Sequence, residues 1–168
     1  MHIAEPDLRR QIGTLLPELR AFARFLARDR TLADDVVQDA VVRALAALHQ
    51  FQPGTNLKAW LFAITRNAFY EHIRRTKREA QAVGDSLVDE EAAPPNQDGH
   101  TAVTDLEQLI WTLPPLLREA LILVGAQEMS HDQAAAVCQV PVGTMKARLS
   151  RARTALAKLA GDAETDIA

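Results

Sequence analysis

Helical periodicity runs through most of this 168-residue chain and fails in one place, between residues 80 and 103. Pro94, Pro95, Asn96 and Gly99 interrupt any regular element there, and Asp85, Asp89, Glu90, Glu91 and Asp98 repel one another. A stretch of that composition cannot bury enough apolar surface to order itself. The break separates two helical stretches. The pattern predicts an all-α fold of two small helical domains, 1–79 and 104–168, joined by a flexible acidic linker, 80–103, with room for a short helical piece near Leu87. The composition agrees: 48% of residues are apolar, only 5% are aromatic, and Ala and Leu dominate, which favours helices over sheets.

In the first domain, residues 7–28 carry Leu15, Leu19, Phe22, Ala23 and Leu26 at helical spacing, with Pro17 placed to kink or divide the helix. Thr31 to Asp34 has the make-up of a helix start, with Asp34 as a first-turn acid. Val36, Val37, Ala40, Val41, Ala44, Leu45 and Leu48 then form one apolar stripe, and Asp35, Gln38, Asp39 and Arg43 lie outside it. Phe51 closes that segment and Pro53-Gly54 marks a turn. In the second domain a helix starts near Thr104 with Leu106, Leu109 and Ile110 on one face. It breaks at Leu113-Pro114-Pro115, and Pro115 suits the first position of the next helix, 116–126. Ser130 and Gln133 match a capping box for a short helix ending at Cys138, and Thr144 starts a last helix to about Leu159.

The net charge of −3 hides a segregation of charge. Lys58, Arg66, Arg74, Arg75, Lys77 and Arg78 crowd one block, Lys146, Arg148, Arg151, Arg153 and Lys158 another, and the acids of the linker stand between them. At about 100° per residue, Leu61, Phe62, Ile64, Ala68, Phe69 and Ile73 fall on one arc of the helix after Leu57. Arg66, Asn67, Tyr70, Arg74, Lys77 and Arg78 fall on the other. Cations for phosphates, a ring for stacking and an amide for base edges suit single-stranded nucleic acid. A solvated basic face on an ordinary amphipathic helix would look the same.

Downstream, a short helix, a tight turn and a basic helix make a helix-turn-helix pattern. Met145, Leu149, Ala152 and Leu156 point to a core, while Lys146, Ala147, Ser150, Arg151 and Thr154 point away and Arg148 and Arg153 flank the seam. Small residues between long cations let a helix enter a major groove, and Thr144 sits at the helix start. Two such elements in one short chain strengthen each other.

Other chemistry is not suggested. His2, His49, His72, His100 and His131 share no ligand spacing, so no metal is expected, and no motif calls for a cofactor or marks an enzyme. The single Cys138 excludes an internal disulfide and reads as a buried thiol. No signal-peptide pattern or membrane-length apolar run is visible, so a cytoplasmic protein is expected.

The segments ADDVVQDAVVRAL, FQPGTNLKAWLFAITRNAFYEHIRR, LPPLLREALILV and VPVGTMKARLSRARTAL together resemble extracytoplasmic-function (ECF) bacterial sigma factors, in order and across nearly the whole chain. FQPGTN before KAWLF, QDGH and ALILVGA are similar to the general-stress-response subgroup. The resemblance implies that the first domain is a sigma region 2-like bundle. Its second helix would bind the β′ clamp of RNA polymerase through Asp35, Gln38, Asp39 and Arg43. A flipped base of the promoter −10 element would be captured by Gly54, Thr55, Asn56, Leu57 and Asn67. Lys58, Arg66, Tyr70, Arg74 and Arg75 would hold the backbone or stack, and Trp60 would either line the pocket or pack in the core. Holding one base in a pocket costs a few kcal/mol of unstacking, so polar contacts must reward it.

The second domain is implied to be a region 4-like helix-turn-helix that reads the −35 duplex through Thr144, Lys146, Ala147, Arg148, Ser150, Arg151 and Arg153, beside the flap of the β subunit. A small anti-sigma factor is implied as a further partner, with a free monomer and no membrane association. Two positions depart from the family: Gln133 stands where an acid is common, and Ala147 where a hydroxyl is. Gln133 can still close a capping box, while Ala147 shifts sequence preference toward Lys146 and Arg151. A sigma-like decoy that sequesters the anti-sigma factor is the competing reading, and a repressor acting without polymerase would have no use for a single-strand face.

Overall fold

A computed structural model describes the backbone of residues 4–84 and 102–166 and the side chains of 4–84 and 105–162. The chain divides into two compact units, Met1–Pro94 and Pro95–Ala168. The described residues form helices and turns with no strand, as expected from the composition. No helix among them is long and apolar enough to cross a membrane.

The first unit packs three helices, α1 (Glu5–Ala27), α2 (Arg30–Ala46) and α3 (Leu57–Val83), with a 3₁₀ turn at Leu48–Gln50. Leu8, Ile12, Leu19, Phe22 and Ala23 of α1 meet Ala33, Val36, Val37, Ala40 and Ala44 of α2 and Leu61, Phe62, Ala68 and Phe69 of α3 in the core. Phe22 and Phe62 are fully buried and stack with ring centroids 4.7 Å apart. Pro17 lies inside α1 without ending it. That helix closes instead at Arg28, in the left-handed region at φ 57°, whose N–H reaches back to the carbonyl of Arg24. The next helix starts earlier than expected: Asp29, not Thr31, is its N-cap, and its carboxylate accepts from the N–H groups of Thr31 and Leu32. Asp34 is therefore outside the first turn, and its expected role there is corrected.

On α3 two positions depart from the apolar arc. Thr65 is fully buried, its hydroxyl satisfied by donating to the carbonyl of Leu61 at 2.9 Å. Ile73 is exposed. The helix runs on to Val83 and ends at Gly84, left-handed at φ 78°, so residues 80–83 of the expected linker are helical. Most of that linker lies outside the described residues.

The second unit contains α4 (Ala102–Thr112), α5 (Pro115–Leu121), α6 (His131–Cys138) and α7 (Val142–Asp166), with a π-type turn at Ile122–Ala126 extending α5. Pro115 does occupy the first turn of α5. Arg118 ties the break together, its guanidinium 4.1 Å from the Trp111 ring centroid and donating to the Trp111 carbonyl at 3.2 Å. Ile110, Leu113, Ala120, Ile122, Leu123, Met129, Val137, Met145, Leu149 and Ala152 fill the core. Leu106, expected on the core face, is exposed, and so is Leu116, while Glu119 in the apolar run is buried. Cys138 is buried, as a thiol rather than a disulfide.

Candidate nucleic-acid interface

The loop ahead of α3 is built by its own sequence. Gln52, Pro53, Gly54 and Thr55 form a turn in which the Thr55 N–H donates to the Gln52 carbonyl at 3.2 Å. Proline second and a glycine at φ 87° third are what a type II turn requires, because most L side chains resist that φ. The Thr55 hydroxyl adds a 2.6 Å bond to the same carbonyl. Asn56 then caps α3, its side-chain oxygen accepting from the Ala59 N–H at 2.9 Å. Leu57 is buried, so of the five residues expected to capture a base it belongs to the core that anchors the loop. Gly54, Thr55, Asn56 and Asn67 are exposed. The capping duty of Asn56 goes beyond the base contact expected of it, and its signal in the sequence is a short polar residue directly before the apolar periodicity.

Along α3, Arg66 lies over the Tyr70 ring with its guanidinium 4.6 Å from the centroid, one helical turn apart. Tyr70 in turn meets Phe69 edge-on at 5.1 Å and packs against the cluster of Val36, Ala68 and Phe69. The half-buried phenol is thus held by the core with a guanidinium over its ring, while Asn67 and Arg74 stand exposed beside it. An aromatic ring with a cation stacked on it is the chemistry that single strands use. Trp60 is half-buried with its ring 5.3 Å from that of buried Phe51, so it braces the loop from α3.

Two residues expected on this face lie elsewhere. Lys58 is nine residues before Asn67, which at about 100° per residue is the opposite side of the helix. Its ammonium is 3.2 Å from Glu18 of α1 and 5.8 Å from the centroid of the Phe62 ring. Arg75 turns toward α2, lining a groove with Asp35, Val36, Asp39, Arg43, Ala68, Glu71 and His72. Its guanidinium lies 3.4 Å from Nδ1 of His72.

That groove also holds three of the four residues expected to meet the polymerase; Gln38 instead lines a groove between α1 and α2 with Arg20, Arg24, Val41 and Val42. Arg43 is engaged within the unit: it reaches Asp39 at 2.9 Å and Glu71 of α3 at 2.7 Å. The hydrogen bond from Arg43 is the main cause holding the Glu71 carboxyl below its ordinary 4.5, and the same bond, then that of Asp39, raises the guanidinium. A depressed folded-state carboxyl contributes stability above its unfolded value and loses it as pH falls through the lower, folded one. Glu71→Gln should therefore lower the thermal midpoint slightly at pH 7, as exposed pairs do, with the gap from the parent closing as pH falls below the ordinary 4.5 and through the lower folded-state value. Melting curves across pH 3–7 check this.

In the second unit α6 and α7 meet in a helix-turn-helix. Ser130 and Gln133 close the capping box reciprocally, at 3.1 and 3.0 Å, so the glutamine completes the cap as expected. The α6 end is a Schellman motif: Gln139, left-handed at φ 55°, donates to Ala136, and Val140 donates to Ala135. The last helix begins at Val142, two residues before the expected Thr144, with the Met145 N–H returning to the Pro141 carbonyl. Burial of Met145, Leu149 and Ala152 fixes its rotation. Lys146, Ser150, Arg151 and Arg153 are exposed, and Thr144, Ala147 and Arg148 are half-buried. The exposed side thus carries cations around small residues.

Comparison with known proteins follows this division. Residues 12–79 match Sigma-70 region 2, and residues 104–156 match Sigma-70, region 4. The chain is 43% identical over 153 residues to the ECF RNA polymerase sigma factor EcfG of Rhodopseudomonas palustris, covering 91% of this chain and 84% of that one. It is 36% identical over 151 residues to the ECF RNA polymerase sigma factor SigC of Mycobacterium tuberculosis, covering 85% and 77%. It is also similar in structure to the sigma factor RpoE of Bartonella quintana, solved in complex with the anti-sigma factor NepR. There the identity is 40% and the TM-score 0.79, over 92% of this chain and 97% of that one. With both regions matched in order and these relatives covered over most of their length, the chain belongs to the ECF sigma factors of the sigma-70 family.

Proposed function

We propose that the protein directs promoter-specific initiation by bacterial RNA polymerase at general-stress-response genes, as a dissociable cytoplasmic subunit without catalysis of its own, under the control of a small anti-sigma factor. The observation that carries this reading is the presence of two faces with different chemistry in one chain. The first offers an amide, a stacked Arg66–Tyr70 pair and a rigid turned loop, which suits an unpaired base. The second offers a helix-turn-helix with cations around small residues, which suits duplex DNA. Similarity to EcfG supports the assignment as a sigma factor, and the RpoE–NepR complex supports an anti-sigma partner.

On this reading Gly54, Thr55, Asn56 and Asn67 surround the captured −10 base, and Arg66, Tyr70 and Arg74 hold the strand. Asp35, Gln38 and Asp39 face the polymerase clamp, and Arg43 orders that surface through Asp39. Thr144, Lys146, Ala147, Arg148, Ser150, Arg151 and Arg153 read or grip the −35 duplex.

Run-off transcription with core polymerase on a general-stress promoter tests the reading. A promoter-specific transcript that depends on this protein is expected. No transcript despite tight binding to the anti-sigma factor would identify a decoy. Asn67→Ala should reduce open-complex formation about tenfold, as loss of a polar base contact worth 1–3 kcal/mol does, while leaving anti-sigma affinity unchanged. Permanganate footprinting and anisotropy measure the two quantities, and equal losses in both would argue against the assigned face.

A further inference from the structure

From the geometry at the start of α3 we infer that Lys58 is a positioning residue: its ion pair with Glu18 of α1 sets the loop that captures the −10 base, and it makes no phosphate contact. The inference rests on the reading of residues 54–56 and 67 as the single-strand site. Three observations support it. The ammonium sits 3.2 Å from Oε2 of Glu18, and three-quarters of the lysine side chain is covered, leaving 25% exposed. Oε2 is covered, although the Glu18 side chain as a whole is 45% exposed, and Lys58 is the charge that faces it. Finally, position 58 lies on the side of α3 opposite Asn67, about 180° around the helix, with its side chain directed to α1.

The location gives the pair its consequence. Lys58 is two residues past Asn56, whose side chain caps the helix directly after the Gln52–Thr55 turn. Fixing the first turn of α3 to α1 therefore fixes the angle at which the loop leaves the bundle. The ammonium of Lys58 also lies 5.8 Å from the centroid of the Phe62 ring, which is stacked on Phe22 in the core.

A charge swap tests this with the full-length protein in holoenzyme. Lys58→Glu places two carboxylates together and should reduce open-complex formation on the order of tenfold. The double variant Lys58→Glu with Glu18→Lys should return to within about twofold of the parent, with an unchanged salt dependence for binding a single-stranded −10 oligonucleotide and restored discrimination between bases at the captured position. A double variant as defective as Lys58→Glu, or one whose salt slope falls by about 0.7, the amount for one lost phosphate contact on a single strand, overturns the inference. Lys58→Met, which keeps the stem, serves where the reversal impairs folding: normal melting with weakened base discrimination and an unchanged slope supports the positioning role, and a reduced slope overturns it. Asn67→Ala in parallel separates the two levels. If it leaves opening intact the single-strand site itself is misplaced, whatever the swap shows.

Discussion

Replacing Lys146 and Arg151 together with alanine is expected to abolish the promoter-specific transcript while leaving assembly with core polymerase intact. Both side chains are exposed on the side of α7 away from Met145, Leu149 and Ala152, so truncation removes charge and reach without opening the core. A base-edge contact contributes roughly 1–3 kcal/mol, and a phosphate contact adds a salt-dependent share. Two such losses predict a fall in −35 duplex affinity on the order of 10²-fold. Titration of a fluorescent −35 duplex at several salt concentrations separates the roles: loss of sequence preference marks a reader, and a lower salt slope marks a phosphate grip. Unchanged affinity in both assays would remove α7 from the DNA surface. Ala147→Ser is the complementary experiment, since a hydroxyl there should broaden base preference without weakening the phosphate contacts.

Phe62→Ala should be the most destabilising substitution in the first unit. Phe62 has no exposed surface and stacks on the equally buried Phe22, with Leu19, Leu61 and Thr65 also fully or almost fully enclosed. Truncating a phenylalanine in such a core costs about 3–5 kcal/mol, the lost transfer energy plus the cavity left behind. Set against the total of about 5–15 kcal/mol that holds a domain together, that loss should leave the unit partly unfolded at 37 °C. Phe62→Leu, which keeps more of the volume, should cost about 1–2 kcal/mol. Urea unfolding followed by far-UV circular dichroism checks both. A change below about 1 kcal/mol for Phe62→Ala would mean that the α1–α3 contact is not the centre of the core.

Much of this was legible in the chain because the signals are local. A capping box, a proline at the first position of a helix, a Pro-Gly turn and an apolar repeat each depend on residues within a few positions of one another. All four stand where the sequence placed them, at Ser130–Gln133, Pro115, Gln52–Thr55 and along α2. The helix starts were read less well. Asp29 caps α2 in place of Thr31, its carboxylate accepting from Thr31 and Leu32, and α7 starts at Val142, because several residues in each stretch suit a helix start.

What the sequence by itself determined was the kind of chain: two helical units, one with a mixed aromatic and cationic stripe and one with a basic helix-turn-helix. What only the tertiary structure decided was which charged residues belong to those faces. Lys58 and Arg75 share the basic block with Arg74, yet one is drawn to Glu18 on α1 and the other lies in the groove between α2 and α3. Arg43, outside the apolar stripe and expected to face the polymerase, bridges Asp39 to Glu71, twenty-eight residues away. The reason is physical: periodicity fixes the direction a side chain leaves its own helix, but its partner sits on a neighbouring helix, and only packing brings the two within an ion pair's reach.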